Sequence, residues 1–303
     1  MEEIVARSEY REEPCVSALN RVTGMGFDWS LNPYMGCAHR CVFCYVRAFE
    51  VRADRPGDDR YGSSIRVKIN VAEVLERELA GRSWQRDSVA VGAATDPYQP
   101  AEGRYRLTRR CIETLSRARN PFSIITRGPL VVRDADVLAE ASRRARVTVN
   151  LSVPTLDERV WRATEPATAP PRQRLRAVGM LVRAGIRAGV AIAPILPGVS
   201  DRPDQLEAVV RAAREAGATF VWAGLVHLGS AVREHFFAVL GREWPELLPE
   251  YERLFGARAY LPRALAAPTL ERLKELRDRF GIADRRLIRL APPPEATQML
   301  LPV

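Results

Sequence analysis

Short, nearly continuous apolar runs alternate with amphipathic stretches of helical period along most of the chain. The runs fall at residues 89–94, 122–126, 147–153, 190–196 and 220–225, and most are rich in β-branched side chains. Strands apolar on both faces, separated by helices, predict a parallel sheet covered by helices. Leu175, Val178, Leu181 and Val182 mark one helical face, closed by Gly185; Leu206, Val209, Val210 and Ala213 mark another, closed by Gly217. Asn70 with Glu73, and Thr155 with Glu158, have the spacing of helix N-terminal caps. A further strand near residues 30–35 completes six βα units. The expected class is α/β: a partial (β/α)6 TIM-type barrel over residues 29–230. An irregular, polar arm (1–28) precedes it, and a helical extension packed on the barrel (231–303) follows, ending in the proline-stiffened stretch at 291–297.

Composition narrows the setting. With 47% hydrophobic and 27% charged residues, the 303-residue chain has the balance of an ordinary globular protein. No run approaches the roughly 18 apolar residues of a membrane span, and the start Met1-Glu2-Glu3 is unlike a signal peptide, so a cytoplasmic protein without membrane contact is expected. The net charge of +9 suits a polyanionic partner. Lys68 and Lys274 are the only lysines, so 44 of 46 basic residues are arginine, and many alternate with acids on helix faces. Charge alone therefore leaves nucleic acid open. Nothing in the pattern calls for an oligomer, and a monomer is expected.

Three of the five cysteines crowd into Cys37-x3-Cys41-x2-Cys44, within the run Asn32-Pro-Tyr-Met-Gly-Cys-Ala-His-Arg-Cys-Val-Phe-Cys-Tyr45. That spacing is metal or redox usage in a reducing compartment, not a disulfide framework. Thiolates select iron–sulfur clusters or zinc. A [4Fe–4S] cluster on three cysteines keeps one iron without a protein ligand. The competing assignment is zinc on the three thiols and His39, but the short loop lacks the second pair of a zinc ribbon. In a parallel barrel, chemistry gathers at the C-terminal strand ends. Those ends carry the cysteine loop, Thr95-Asp96-Pro97-Tyr98, Thr126-Arg127-Gly128, Asn150-Leu151-Ser152 and Val226-His227.

The cysteine loop at the first strand end of a six-unit barrel resembles the radical SAM superfamily. The wider wording, Asn-Pro-Tyr-x-Gly-Cys-x-His-x-Cys-x-x-Cys-Tyr followed by Thr95-Asp-Pro-Tyr-Gln-Pro-x-Glu102 and Leu107-Thr-Arg109, resembles its spore photoproduct lyase-like branch, often labelled DNA repair photolyases. The resemblance runs in order over about residues 30–230. It implies a [4Fe–4S] cluster on Cys37, Cys41 and Cys44, with S-adenosylmethionine on the fourth iron and Phe43 against the adenine. It further implies reductive cleavage to a 5′-deoxyadenosyl radical that abstracts hydrogen, with electrons from an external flavodoxin- or ferredoxin-type donor. Thr95, Asp96, Arg127 and Ser152 are the candidates for gripping S-adenosylmethionine, since an arginine fork suits a carboxylate. Tyr45, Tyr98 and Cys15 are the catalytic candidates, Cys15 as a hydrogen donor if the arm folds over the barrel mouth.

Departures bound the resemblance. Where that branch places a hydrogen-donating cysteine, this chain reads Ala93-Ala94 before Thr95-Asp96. Phe43 stands where the branch has tyrosine, and Arg127 where it tends to have lysine. The cluster chemistry is implied; thymine-dimer repair is not. A nucleic acid or nucleotide leads as substrate. The alternatives are a radical enzyme acting on a small molecule or peptide, and a non-enzymatic iron–sulfur or zinc protein that binds nucleic acid. Cys111 reads as a buried helix residue. His227 reads equally as a substrate-facing or a structural residue.

Overall fold

The computed structural model describes residues 8–285; the expected proline-rich tail and the acidic start lie outside them. The strands are β1 (Glu9–Glu13), β2 (Leu19–Arg21), β3 (Trp29–Leu31), β4 (Tyr34–Met35), β5 (Ser64–Lys68), β6 (Val89–Val91), β7 (Phe122–Thr126), β8 (Val147–Ser152), β9 (Ala188–Ile195), β10 (Phe220–Leu225) and β11 (Ala283–Asp284). The helices are α1 (Arg47–Arg52), α2 (Val71–Leu79), α3 (Pro100–Tyr105), α4 (Leu107–Arg117), α5 (Ala135–Arg144), α6 (Glu158–Thr164), α7 (Pro171–Arg183), α8 (Pro203–Glu215), α9 (Ser230–Glu243), α10 (Leu248–Phe255) and α11 (Arg263–Phe280).

The main sheet runs β11-β10-β9-β8-β7-β6-β3-β2. Its six central strands, β3 and β6 to β10, are parallel and lie in chain order. This is the expected partial barrel, with an edge strand on each side. The strands are buried throughout β6 and β8 and over most of β7 and β9, which is why their sequence shows no alternation. One apolar core fills the space between sheet and helices.

Four local expectations are corrected. The described part of the arm, residues 8–28, is not irregular: β1 pairs in parallel with β5 in a small β1-β5-β4 sheet, and β2 pairs antiparallel with β3. Its alternation is mostly polar because little of either strand is buried. The run at 89–94 stops being a strand after Val91, because Gly92 has φ +88° and an added Cβ there would lie 2.6 Å from the Ile125 carbonyl. Asn70 precedes α2, but its amide bonds the backbone of Cys15 instead of capping the helix. The cap of α6 is Asp157, which accepts from the Val160 N–H at 3.0 Å; Thr155 bonds the Asp157 N–H one step earlier. Gly185 and Gly217 close α7 and α8 with φ +79°, as the periodicity predicts. The extension contributes α9 to α11 and an unexpected edge strand, β11.

Candidate cluster site at the barrel mouth

After β3 the chain leaves the barrel sheet. Pro33 has no N–H to continue the ladder, and β4 turns to pair with β5. The cysteine loop follows at once, at the C-terminal end of the first barrel strand. Gly36 turns it with φ +84°. Gly62, at φ +80°, passes so close that a Cβ would lie 2.4 Å from the Cys37 carbonyl. Only glycine fits beneath that cysteine.

Arg47, 2% exposed, organises the loop from behind. Its guanidinium donates to the carbonyls of Arg40 (3.2 Å), Cys41 (3.3 Å), Gly57 (2.8 Å) and Asp58 (2.6 Å), and it stacks on Tyr61 at 4.7 Å. Sequence reasoning missed Arg47, because one arginine among 44 carries no signal. From the other side the second motif grips the loop. Thr95 Oγ1 donates to the Gly36 carbonyl at 2.7 Å, and the Gln99 amide donates to the same carbonyl at 3.2 Å. Gln99 Oε1 accepts from Ala38 N–H at 3.0 Å.

Asp96 links three segments. Oδ2 lies 3.2 Å from His39 Nδ1 in the cysteine loop, and Thr126 Oγ1 and the Arg127 N–H donate to its carboxylate at 2.5 and 2.6 Å. Burial works to raise its pKa, but His39 and these donors outweigh it and hold the carboxyl at about 2. Arg127 in turn lies over the Phe43 ring at 5.4 Å and bonds the Ala193 carbonyl at 3.2 Å. It also pairs with Glu165, which is fully buried and held by Arg174 at 3.0 Å as well. Arg174 fixes the end of β8 through the Ser152 carbonyl at 2.8 Å. Neither Glu165 nor Arg174 stands out in the sequence: both lie outside the motifs, one at the end of a helix and one within the next.

The predicted site residues divide accordingly. Cys37, Cys41, Cys44, Phe43, Thr95, Asp96 and Arg127 come together at the mouth, and Ser152 joins them through its backbone. Tyr45 adjoins them, its hydroxyl donating to the Ala93 carbonyl. Tyr98 points elsewhere: its ring lies in the main core and its hydroxyl donates to buried Asp134 at 3.2 Å. Cys15 is not brought to the loop. It follows β1 at the Lys68 end of the small sheet, whereas the cysteine loop leaves β4 at the Ser64 end. His227 packs against Tyr260, ring centroids 4.3 Å apart.

The donor set suits an iron–sulfur centre. All three thiols are unbridged, with Cys37 and Cys41 buried and Cys44 half-buried. Burial pushes the Cys37 thiol well up and Cys41 to about 12, a cost that a bound cationic centre offsets. Tyr61 lies 3.6 Å from Cys44 Sγ, within hydrogen-bonding range for sulfur. Among the described residues no three His, Cys, Asp or Glu side chains close around a single ion position.

The radical SAM superfamily model matches residues 31–213. The chain belongs to the radical SAM superfamily. An uncharacterized protein of Mycobacterium tuberculosis is 36% identical over 299 residues, covering 97% of this chain and 86% of the relative. A radical SAM Nα-GlyT isomerase of Pseudomonas phage M6 is 25% identical over 175 residues, covering 57% of this chain and 34% of the isomerase. The fold matches spore photoproduct lyase with bound AdoMet and dinucleoside spore photoproduct at TM-score 0.67, with 16% identity, covering 89% of this chain and 78% of the lyase. Radical SAM membership implies an iron–sulfur cluster and S-adenosylmethionine. Among the described residues no helix is long and apolar enough to cross a membrane.

Proposed function

We propose that this chain is a radical enzyme that holds a [4Fe–4S] cluster on Cys37, Cys41 and Cys44 and uses S-adenosylmethionine to abstract hydrogen from a nucleic acid or nucleotide. The observation that carries the reading is the convergence of three unbridged thiols at the first strand end, under a clamp from the second, third and fourth. When bound, the cluster supplies the electron that cleaves S-adenosylmethionine to methionine and a 5′-deoxyadenosyl radical. The chain's own part is positional. Arg47, Thr95 and Gln99 fix the loop backbone through its carbonyls and the Ala38 N–H. Phe43, held beneath Arg127, presents an apolar face suited to the adenine ring. Arg127 keeps a guanidinium beside the thiols with Glu165 as its counter-charge, and it can meet a carboxylate there. The buried surroundings of Cys41, Val42 and Phe43 exclude water from the site.

The substrate class rests on the net charge of +9 and on likeness of wording to the lyase-like branch. The electron donor would be a flavodoxin- or ferredoxin-type protein, and the working unit a cytoplasmic monomer. The test is anaerobic reconstitution, reduction with dithionite in the presence of S-adenosylmethionine, and assay of 5′-deoxyadenosine. Formation in the wild type that is lost in Cys41→Ala is expected. No cleavage despite about four irons per chain would reassign the cluster to electron transfer or structure. Zinc in place of iron would overturn the reading.

A further inference from the structure

A cavity of about 880 Å³ opens beside the cysteine loop, between the loop, α6 and α9. Its walls include Arg40 and Val42, which alternate with the cysteines in sequence, but none of the thiols. It therefore lies on a different side of the loop from the cluster ligands. Its size is that of a ligand pocket, which typically spans roughly 300–1,000 Å³ and is mostly apolar. This lining is instead dominated by charge, with five arginines against three carboxylates.

The arginines are not equivalent. Arg47 is committed to backbone carbonyls and Arg40 lies in the loop itself. Arg159, Arg162 and Arg242 are held only at the surface. Arg159 donates to the Glu243 carbonyl at 2.7 Å, Arg162 pairs with Glu158 at 2.8 Å, and Arg242 with Glu243 at 3.0 Å. Arg162 and Arg242 are 70% and 68% exposed, and pairs of that kind contribute about 0–1 kcal/mol, so their forks are readily surrendered to a stronger anion. On the inner wall, His235 Nε2 is buried without a hydrogen-bond partner among the described residues. Its other nitrogen, Nδ1, lies 3.5 Å from exposed Asp59. With Nδ1–H facing the Asp59 carboxylate, Nε2 of the neutral ring is an acceptor, which a ligand hydroxyl satisfies and a phosphate oxygen does not.

We propose that this cavity is a second ligand site, for a phosphate-bearing molecule, built against the cysteine loop. Arg159, Arg162 and Arg242 supply planar forks that match phosphate oxygens. A ligand seated there touches Arg40, between Cys37 and Cys41, so its occupancy bears directly on the loop backbone. The phosphate can belong to a free nucleotide or to a strand.

The test uses the full chain after reconstitution and reads binding, so it is independent of S-adenosylmethionine cleavage, which is assayed separately. Inorganic phosphate, adenosine 5′-monophosphate and a labelled single-stranded oligonucleotide are titrated, with adenosine as the phosphate-free control. The triple variant Arg159→Gln, Arg162→Gln, Arg242→Gln is compared with Arg143→Gln, Arg144→Gln, Arg202→Gln. The second set loses the same charge from surface ion pairs on α5 and at the start of α8. Thermal unfolding checks that both fold. At least about a tenfold loss of affinity in the first set only is expected, as befits removal of charge-assisted forks. Loss confined to the oligonucleotide assigns the phosphate to a strand; loss confined to the nucleotide or inorganic phosphate assigns it to a free ligand. Equal loss in both sets means affinity follows net charge and overturns the site, as does binding by none of the three phosphate-bearing probes.

Discussion

One eight-residue stretch, Thr95 to Glu102, feeds two buried polar networks that do different work. Thr95, Asp96 and Gln99 turn toward the cysteine loop and bond Gly36, Ala38 and His39. Tyr98 and Glu102 turn the other way. Glu102, with no exposed surface, accepts from the Tyr34 hydroxyl, the Thr108 and Arg109 N–H groups and Arg133, while Tyr98 donates to Asp134. The first network positions a loop; the second fastens α3, α4 and the turn at Pro129–Asp134 to the small sheet. A motif that reads as one functional unit is therefore half site and half scaffold. That is why Tyr98, a catalytic candidate by sequence, lies in the core.

The sharpest way to break this division is Glu102→Ala. It removes one of the two carboxylates that hold Arg133, which keeps Asp134 at 2.7 Å, and leaves the Tyr34 hydroxyl and Thr108 N–H buried without their partner. Leaving two buried donors unsatisfied costs about 1–3 kcal/mol each. Denaturant unfolding should show that loss, while iron bound per folded chain stays at the wild-type level. A fall in iron content among molecules that remain folded would show that the two networks are one.

The barrel was legible because buried parallel strands write themselves as apolar runs, and residues 122–126 and 220–225 match β7 and β10 end to end. The cysteines were legible because three soft ligands in eight positions have few other uses. The supports were not. Arg47, Glu165 and Arg174 act through backbone carbonyls and through each other, contacts made between segments distant in sequence or in residues with no distinctive neighbours. In a chain with 46 basic residues, a buried arginine looks like a solvated one. The polar strands β1 and β2 escaped for the converse reason: edge strands with little buried surface carry no periodic apolar signal.

Acid separates the networks next. Asp96 is held at about 2 against an unfolded value of 3.8, so its carboxylate stabilises the fold above about pH 4. That contribution falls away as pH drops toward 2, because protonation is then less costly in the unfolded chain. A shift of nearly two units corresponds to about 2 kcal/mol. The chain prepared without cluster should lose about that much stability between pH 4 and 2, and Asp96→Asn should remove this part of the pH slope. If the variant keeps the full slope, the clamp on His39 and Thr126 is not the acid-sensitive element.

The smallest expected effect is the most local one. Tyr61 is buried, stacks under Arg47 and approaches Cys44 Sγ at 3.6 Å without belonging to either motif. Tyr61→Phe keeps the ring and removes one hydroxyl, so its stability cost should stay within about 1 kcal/mol. The same hydroxyl, donating to a thiolate that ligates iron, favours the reduced and more negative state of the cluster. Its loss should therefore lower the reduction potential by on the order of 40 mV, the one-electron equivalent of about 1 kcal/mol. Redox titration of the reconstituted chain followed by EPR reads that shift directly. An unchanged potential with unchanged stability would place the Tyr61 hydroxyl outside the cluster's environment and confine the positioning network to the loop backbone.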